Sequence, residues 1–220
     1  MTLPSALGLI VLGEPIIRLL YSHGGAFKEA DVPMTALALA GYSIGLAGYA
    51  AIKVLSPAFY ALDDAKVPMM IALASIIVNA VASYFFRDWL SGYGVTPETP
   101  SGYGHVGVAL ATSTVALVNF FALAFFMRRK IGRLNGREIL SGFARIAIAA
   151  LVMSAVCYPI YRALFSALGP RGLVNQAVGA LVPVVVGGIV FLLVAKLLGV
   201  KELNKLFEVF KRRFDGRKLS

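Results

Sequence analysis

Cysteine, histidine and charge are all scarce in this chain. The 220 residues hold one cysteine and two histidines. With Cys157 alone, neither an internal disulfide nor a cysteine metal cluster is available, and a small buried hydrophobe is its simplest role. His23 and His105 fall in predicted loops, with no second histidine at metal-ligand spacing. No Gly-x-Ser-x-Gly, His-Glu-x-x-His or phosphate-cradling Gly-Lys-Ser/Thr motif occurs, so an integral-membrane enzyme is the least supported class. Charged residues make up 15% of the chain, where a soluble domain carries about a quarter.

Apolar residues fill that space: 59% of the chain is hydrophobic, and mean hydropathy is +0.80. They cluster in runs of about 20, each matching a hydrocarbon core of about 30 Å at 1.5 Å per residue. Six spans are predicted, near Leu3–Tyr21, Val32–Leu55, Val67–Trp89, Val106–Met127, Ile139–Phe165 and Val174–Leu198. The expected fold class is therefore all-α, a polytopic membrane protein with six transmembrane helices. The first run does not read as a signal peptide, since it lacks a basic start and contains Glu14, Pro15 and Arg18.

Net charge is +10, but the cations crowd into Arg128–Arg137 and the tail from Lys196 onward. Cytoplasmic flanks of membrane helices account for them, and nucleic acid is not read as a partner. With an even number of spans, the positive-inside rule puts both termini in the cytoplasm. The outer loops are then 22–31, 91–105 and 163–173. In the tail, Leu203, Leu206, Phe207, Phe210 and Phe214 recur at helical spacing among Lys and Arg. That pattern predicts an amphipathic helix lying on anionic membrane lipids.

Polar residues inside the spans carry the functional information, because charges there cost about 2.5–3.5 kcal/mol each on insertion scales. Glu14 and Arg18, four apart, are either a self-neutralising pair near a helix end or cavity residues. Lys53 lacks an acidic partner in its own span. It either snorkels to the cytoplasmic surface or meets an anionic ligand in a water-filled cavity toward which Pro57 bends the helix. Ser75, Asn79 and Ser83 form a stripe suited to helix–helix hydrogen bonds. The other reading is a cation site built from Asn79, the Val108 carbonyl and Thr112. Asp63 and Asp64 are either solvated turn formers, one pairing with Lys66, or a Mg²⁺ site on a lipid diphosphate. The turn reading is preferred, and no metal site is assigned. Arg145 sits near the cytoplasmic end of the fifth span, placed to meet lipid phosphate.

One stretch is distinctive. Lys53-Val-Leu-Ser-Pro57-Ala-Phe59-Tyr60 runs into Asp64-Ala-Lys66-Val-Pro68, and it resembles a signature of the MurJ/MviN lipid II flippases, within the wider multidrug, oligosaccharidyl-lipid and polysaccharide exporter group. Gly13-Glu14-Pro15 with Leu20-Tyr21 and Gly25-Ala26-Phe27, Tyr42–Leu46, and Gly107–Thr112 are similar to further patterns of that family, in the same order.

The resemblance implies roughly fourteen helices in two related lobes plus a terminal pair, of which this chain matches the last six. Residues 1–130 would be the last four helices of the second lobe. Residues 131–199 would be a helix pair forming a lipid-tail groove with Arg145 at its entrance, and residues 200–220 the basic cytoplasmic tail. The implied substrate is lipid II or a related polyprenyl-diphosphate lipid of peptidoglycan synthesis, moved across a bacterial inner membrane without a cofactor. Lys53, Arg18 and Glu14 would line the cavity. Sodium coupling through Asn79, Val108 and Thr112 is a further implication, although Ser83 stands where the family places a carboxylate. As the C-terminal part of such a flippase, the chain would be incomplete without an N-terminal lobe. The alternatives are an exporter of another lipid-linked oligosaccharide or drug, or a non-transporting membrane scaffold subunit.

Overall fold

The computed structural model describes residues 2–21, 27, 29–95, 102–132, 136–169 and 172–200, with the side chains of 137–139 excepted. His23, part of the 91–105 loop and the amphipathic tail segment lie outside the described residues. Seven helices follow in chain order: α1 (Thr2–Val11), α2 (Gly13–Tyr21), α3 (Asp31–Tyr60), α4 (Lys66–Ser91), α5 (Gly104–Ile131), α6 (Gly136–Leu168) and α7 (Leu173–Leu197). The protein is an all-α polytopic membrane protein. Helices α3 to α7 are each long and apolar enough to cross a bilayer.

The predicted first span is broken. α1 and α2 meet at Leu12 with a bend of 74°. Pro15 supplies the cause, since it offers no N–H to the preceding turn and its ring crowds that turn's carbonyl. The two arms are about 15 and 14 Å long, and at this bend they reach only about 23 Å end to end, short of a hydrocarbon core of about 30 Å. Pro4 and Ser5 of α1 line the same groove as Gly187 and Gly188, near the middle of α7.

The helices pack in a row: α4 on α5, α5 on α3, α3 on the α1–α2 pair, then α6 and α7. α3 and α5 run parallel, with Gly41, Gly45 and Gly48 of α3 against Ala109, Ser113 and Ala116 of α5. In lipid, where no hydrophobic drive separates helix from solvent, small residues of this kind let backbones approach and gain dispersion contacts. Ser113 Oγ donates to the Gly41 carbonyl at 2.6 Å and accepts the Gly45 N–H at 3.1 Å. The α5 hydroxyl thus enters the span of one α3 helical bond. α4 is antiparallel to α5, with Gly107 seated on the Phe86 backbone. α6 and α7 form an antiparallel pair, with Gly187 against Cys157 and Met153.

One end of the row is fixed by Phe59, Leu123 and Met127, all nearly inaccessible, with Ile52, Leu55, Val67 and Ile71 around them. At the same end α3 finishes in a Schellman motif. The Asp64 amide bonds the Phe59 carbonyl and the Asp63 amide bonds the Tyr60 carbonyl. Asp63 takes the left-handed position, with φ 55°, where glycine is usual.

Candidate functional site

α3 is the hub of the row, and its circumference divides by contact. One flank meets α5 and the opposite flank meets the α1–α2 pair, leaving two open faces. Tyr42, Tyr49, Lys53 and Tyr60 fall on one of them, since their spacings of seven, four and seven residues return to nearly the same angle at 100° each. All four are exposed, and Lys53 makes no ion pair among the described residues. Within the Lys53–Pro68 stretch, then, Phe59 turns inward as a packing residue, while Lys53 and Tyr60 turn outward. α3 runs unbroken through Pro57.

The second open face of α3 borders a cleft of about 590 Å³, lined by Pro33, Ala36, Leu37 and Ala40, by Ile10, Val11 and Glu14, and by Tyr158, Tyr161 and Arg162. A separate apolar groove of about 390 Å³ lies between α1, α6 and α7, with Gly8, Leu12, Met153, Cys157, Gly187 and Phe191 in its walls.

Glu14 and Arg18 are not a mutual pair. The Arg18 guanidinium bonds the Glu29 carboxylate and lies over the Phe165 ring, 5.0 Å from its centroid. Glu14 instead accepts a long hydrogen bond from the Tyr161 hydroxyl at 3.4 Å. The i, i+4 spacing puts both on one side of a helix. However, Glu14 stands in the first turn of α2, near Tyr161, and Arg18 in the last, near Glu29, so each meets a different tertiary neighbour. The structure also keeps Arg18 and Lys53 apart. Arg18 is tied to the start of α3, and Lys53 lies 22 residues beyond Asp31, roughly 33 Å along the axis. Glu29 was not legible as a partner, because it sits beyond the first run in a loop.

The 61–65 turn also differs from expectation. Asp64 pairs with Lys130 at 2.6 Å rather than with Lys66, tying the α3–α4 turn to the last turn of α5. That hydrogen bond holds the Asp64 carboxyl below its ordinary value. Among the described residues, no group of three or more His, Cys, Asp or Glu is placed to hold a metal ion.

Asn79 lies on the side of α4 that faces α5. Its amide oxygen accepts from Ser83 at 3.4 Å, while the Thr112 hydroxyl donates to the Val108 carbonyl at 2.9 Å. Gly107 opposes Phe86 in the antiparallel pair. That register puts Thr112 about 3 Å and Val108 about 9 Å along the axis from the level of Asn79. Arg145 donates to the Gly199 carbonyl at 3.3 Å, just past the C-terminus of α7, where a cation complements the helix dipole. It stands about two turns from Met153, the nearest α6 wall of the apolar groove.

Five long apolar helices beside a proline-broken helix, with a cationic aromatic face left open, define a multi-pass α-helical membrane protein. Residues 1–174 match the family model described as "Lipid II flippase MurJ". The chain belongs to this family. It is 29% identical over 208 residues to a Buchnera aphidicola protein (subsp. Acyrthosiphon pisum) described as "Probable lipid II flippase MurJ", covering 94% of this chain and 38% of that one. To the "Lipid II flippase MurJ" of Burkholderia cenocepacia it is 32% identical over 155 residues, 70% of this chain and 27% of the relative. A Thermotoga maritima relative is 30% identical over 206 residues, 94% of this chain and 37% of its own. The chain thus spans only about a quarter to two fifths of the relatives' length.

Proposed function

We propose that this chain takes part in moving lipid II, an undecaprenyl-diphosphate-linked peptidoglycan precursor, across a bacterial cytoplasmic membrane. The Tyr42–Tyr49–Lys53–Tyr60 face of α3 is its substrate-facing surface. The observation that carries this is the open Lys53, without an ion pair among the described residues, set among tyrosines on a membrane helix. Lys53 lies about 10 Å from the Tyr60 end of α3, near the hydrocarbon boundary, and an exposed cation at that depth suits an anionic diphosphate. Tyrosine rings and hydroxyls beside it suit sugars and phosphate oxygens.

Orientation follows from charge. Lys66, Arg128, Arg129, Lys130, Arg145 and Lys196 lie toward the face of the helix layer that carries Asp64 and Gly199, and this face is cytoplasmic by the positive-inside rule. Lys53, about two helical turns above the Tyr60 end of α3, then meets a headgroup entering from the cytoplasm. The apolar groove beside α6 and α7 is of a character suited to the polyprenyl chain.

The test is a chimera in which this chain replaces the matching 38% of the Buchnera relative, expressed while a host's own flippase is depleted. Rescue of growth, together with appearance of lipid II at the outer face, supports the proposal. Failure to rescue despite normal membrane levels rejects it.

A further inference from the structure

The 590 Å³ cleft lies on the side of α3 opposite Lys53, because Pro33, Leu37 and Ala40 fall about 180° from Tyr42 at 100° per residue. Its size is within the range of about 300–1,000 Å³ typical of small-molecule sites. Its walls present one carboxylate, Glu14, and one guanidinium, Arg162. Neither forms an ion pair with the other or elsewhere among the described residues. Among the described residues Glu14 accepts a hydrogen bond from the Tyr161 hydroxyl alone, and Arg162 lies 5.6 Å from the Tyr158 ring centroid. Arg18, the nearest other cation on α2, is engaged by Glu29.

Depth supplies the second constraint. α3 and α6 have 30 and 33 residues, about 45 and 50 Å, so each overhangs a 30 Å hydrocarbon core by roughly 7–10 Å at either end. Arg162 is six residues from the end of α6, about 9 Å, which is the hydrocarbon boundary. Ala36 and Ala40 lie about 8 and 14 Å from the start of α3, just below that boundary. The charged part of the cleft is therefore at phospholipid headgroup level, and its apolar floor of Val11, Ala36, Leu37 and Ala40 is at the level of the first acyl carbons.

We propose that this cleft binds a zwitterionic phospholipid with a primary ammonium, Arg162 taking the phosphate and Glu14 the ammonium. One charge of each sign matches a zwitterion. A purely anionic headgroup would meet repulsion from Glu14, and a trimethylated ammonium has no N–H to give to that carboxylate. The cleft is thus a lipid site separate from the substrate-facing side of α3, bridging α2, α3 and α6 at the end of the row that bears Glu29.

Native mass spectrometry of the purified 220-residue chain tests this, after exchange into detergent containing equal amounts of phosphatidylethanolamine, phosphatidylcholine and phosphatidylglycerol with identical acyl chains. The expected result is retention of the ethanolamine lipid over each of the other two by about fivefold or more. Glu14→Gln should equalise the ethanolamine and choline lipids, and Arg162→Gln should lower retention of both. Equal retention of ethanolamine and choline lipids by the wild-type chain overturns the proposal, as does preferred retention of phosphatidylglycerol. An ethanolamine preference that survives Glu14→Gln does so too. The wild-type comparison alone decides between the lipids, so the outcome does not depend on any variant folding.

Discussion

Replacing Gly45 by alanine should loosen the α3–α5 contact in a way that no change at Ser113 fully repairs. A Cβ at position 45 would lie 2.7 Å from Ser113 Oγ and 2.8 Å from Ser113 Cα. The hydroxyl can be removed, but the Cα belongs to the backbone of α5. Restoring an ordinary contact of about 3.4 Å therefore requires the helices to part locally by about 0.6 Å, a gap that forfeits roughly a quarter or more of each affected dispersion contact. Overpacking of this kind costs about 1–3 kcal/mol. For a domain of this size that corresponds to a fall in Tm of roughly 2–12 °C. Ser113→Ala should cost less, near the average of about 0.6 kcal/mol for interhelical hydrogen bonds in membranes, because the Gly45 N–H can return to the Gly41 carbonyl. Thermal unfolding of the purified chain in mild detergent, followed by circular dichroism, gives the ranking. A Gly45→Ala variant within about 1 °C of wild type, or a double variant restored to the Ser113→Ala value, would refute the backbone-contact reasoning.

Other perturbations test other joints. Asp63→Gly should stabilise the chain by up to about 1 kcal/mol, since glycine takes the left-handed turn position without a Cβ penalty; a lower Tm would contradict the Schellman geometry. The Asp64 carboxyl is depressed by its Lys130 hydrogen bond. Its stabilising contribution should therefore be present above the unfolded value near 3.8 and fade as pH falls through the lower folded value. Lys130→Met should flatten that acid limb of a Tm-versus-pH curve, and an unchanged limb would exclude the pair as its source. The Arg18–Glu29 pair should show a coupling of only about 0.2–1 kcal/mol in a double-mutant cycle, because the Glu29 side chain is 62% exposed and water screens it. A coupling above about 2 kcal/mol would show that the pair is far drier than its exposure implies.

The helices were legible because each long apolar run has one physical use. The predicted second to sixth spans sit within or nearly coincide with α3 to α7, apart from a few residues at their ends. The first run misled because hydropathy is blind to direction. Leu3–Tyr21 has the length of a span, and only Pro15 hinted that it would bend by 74°. The expected Glu14–Arg18 pair failed as well, since spacing along one helix does not say which tertiary neighbour each end will meet. Likewise Asp64 chose Lys130, 66 residues away, over the nearby Lys66. Lys53 was conspicuous as an isolated cation in an apolar run. Its tyrosine companions at 42 and 49 became meaningful once α5 and the α1–α2 pair were seen to cover the two flanks of α3. The Gly41–Gly45–Gly48 seam could have been found from its small-residue spacing alone, whereas the cleft holding Glu14 and Arg162 joins segments almost 150 residues apart and has no local signature.

The central claim is that the open face of α3 meets the anionic substrate through Lys53. In the chimera with the Buchnera relative, Lys53→Glu places a carboxylate against the diphosphate while leaving helix packing untouched, because Lys53 is exposed and unpaired. Accessibility of lipid II at the outer face, measured during depletion of the host flippase at matched membrane levels of each protein, is the direct readout. Transport is expected with Lys53, reduced transport with Lys53→Ala, and loss of at least about tenfold with Lys53→Glu, the equivalent of one charge-assisted contact. Transport by Lys53→Glu equal to that of the unaltered chimera would contradict the claim.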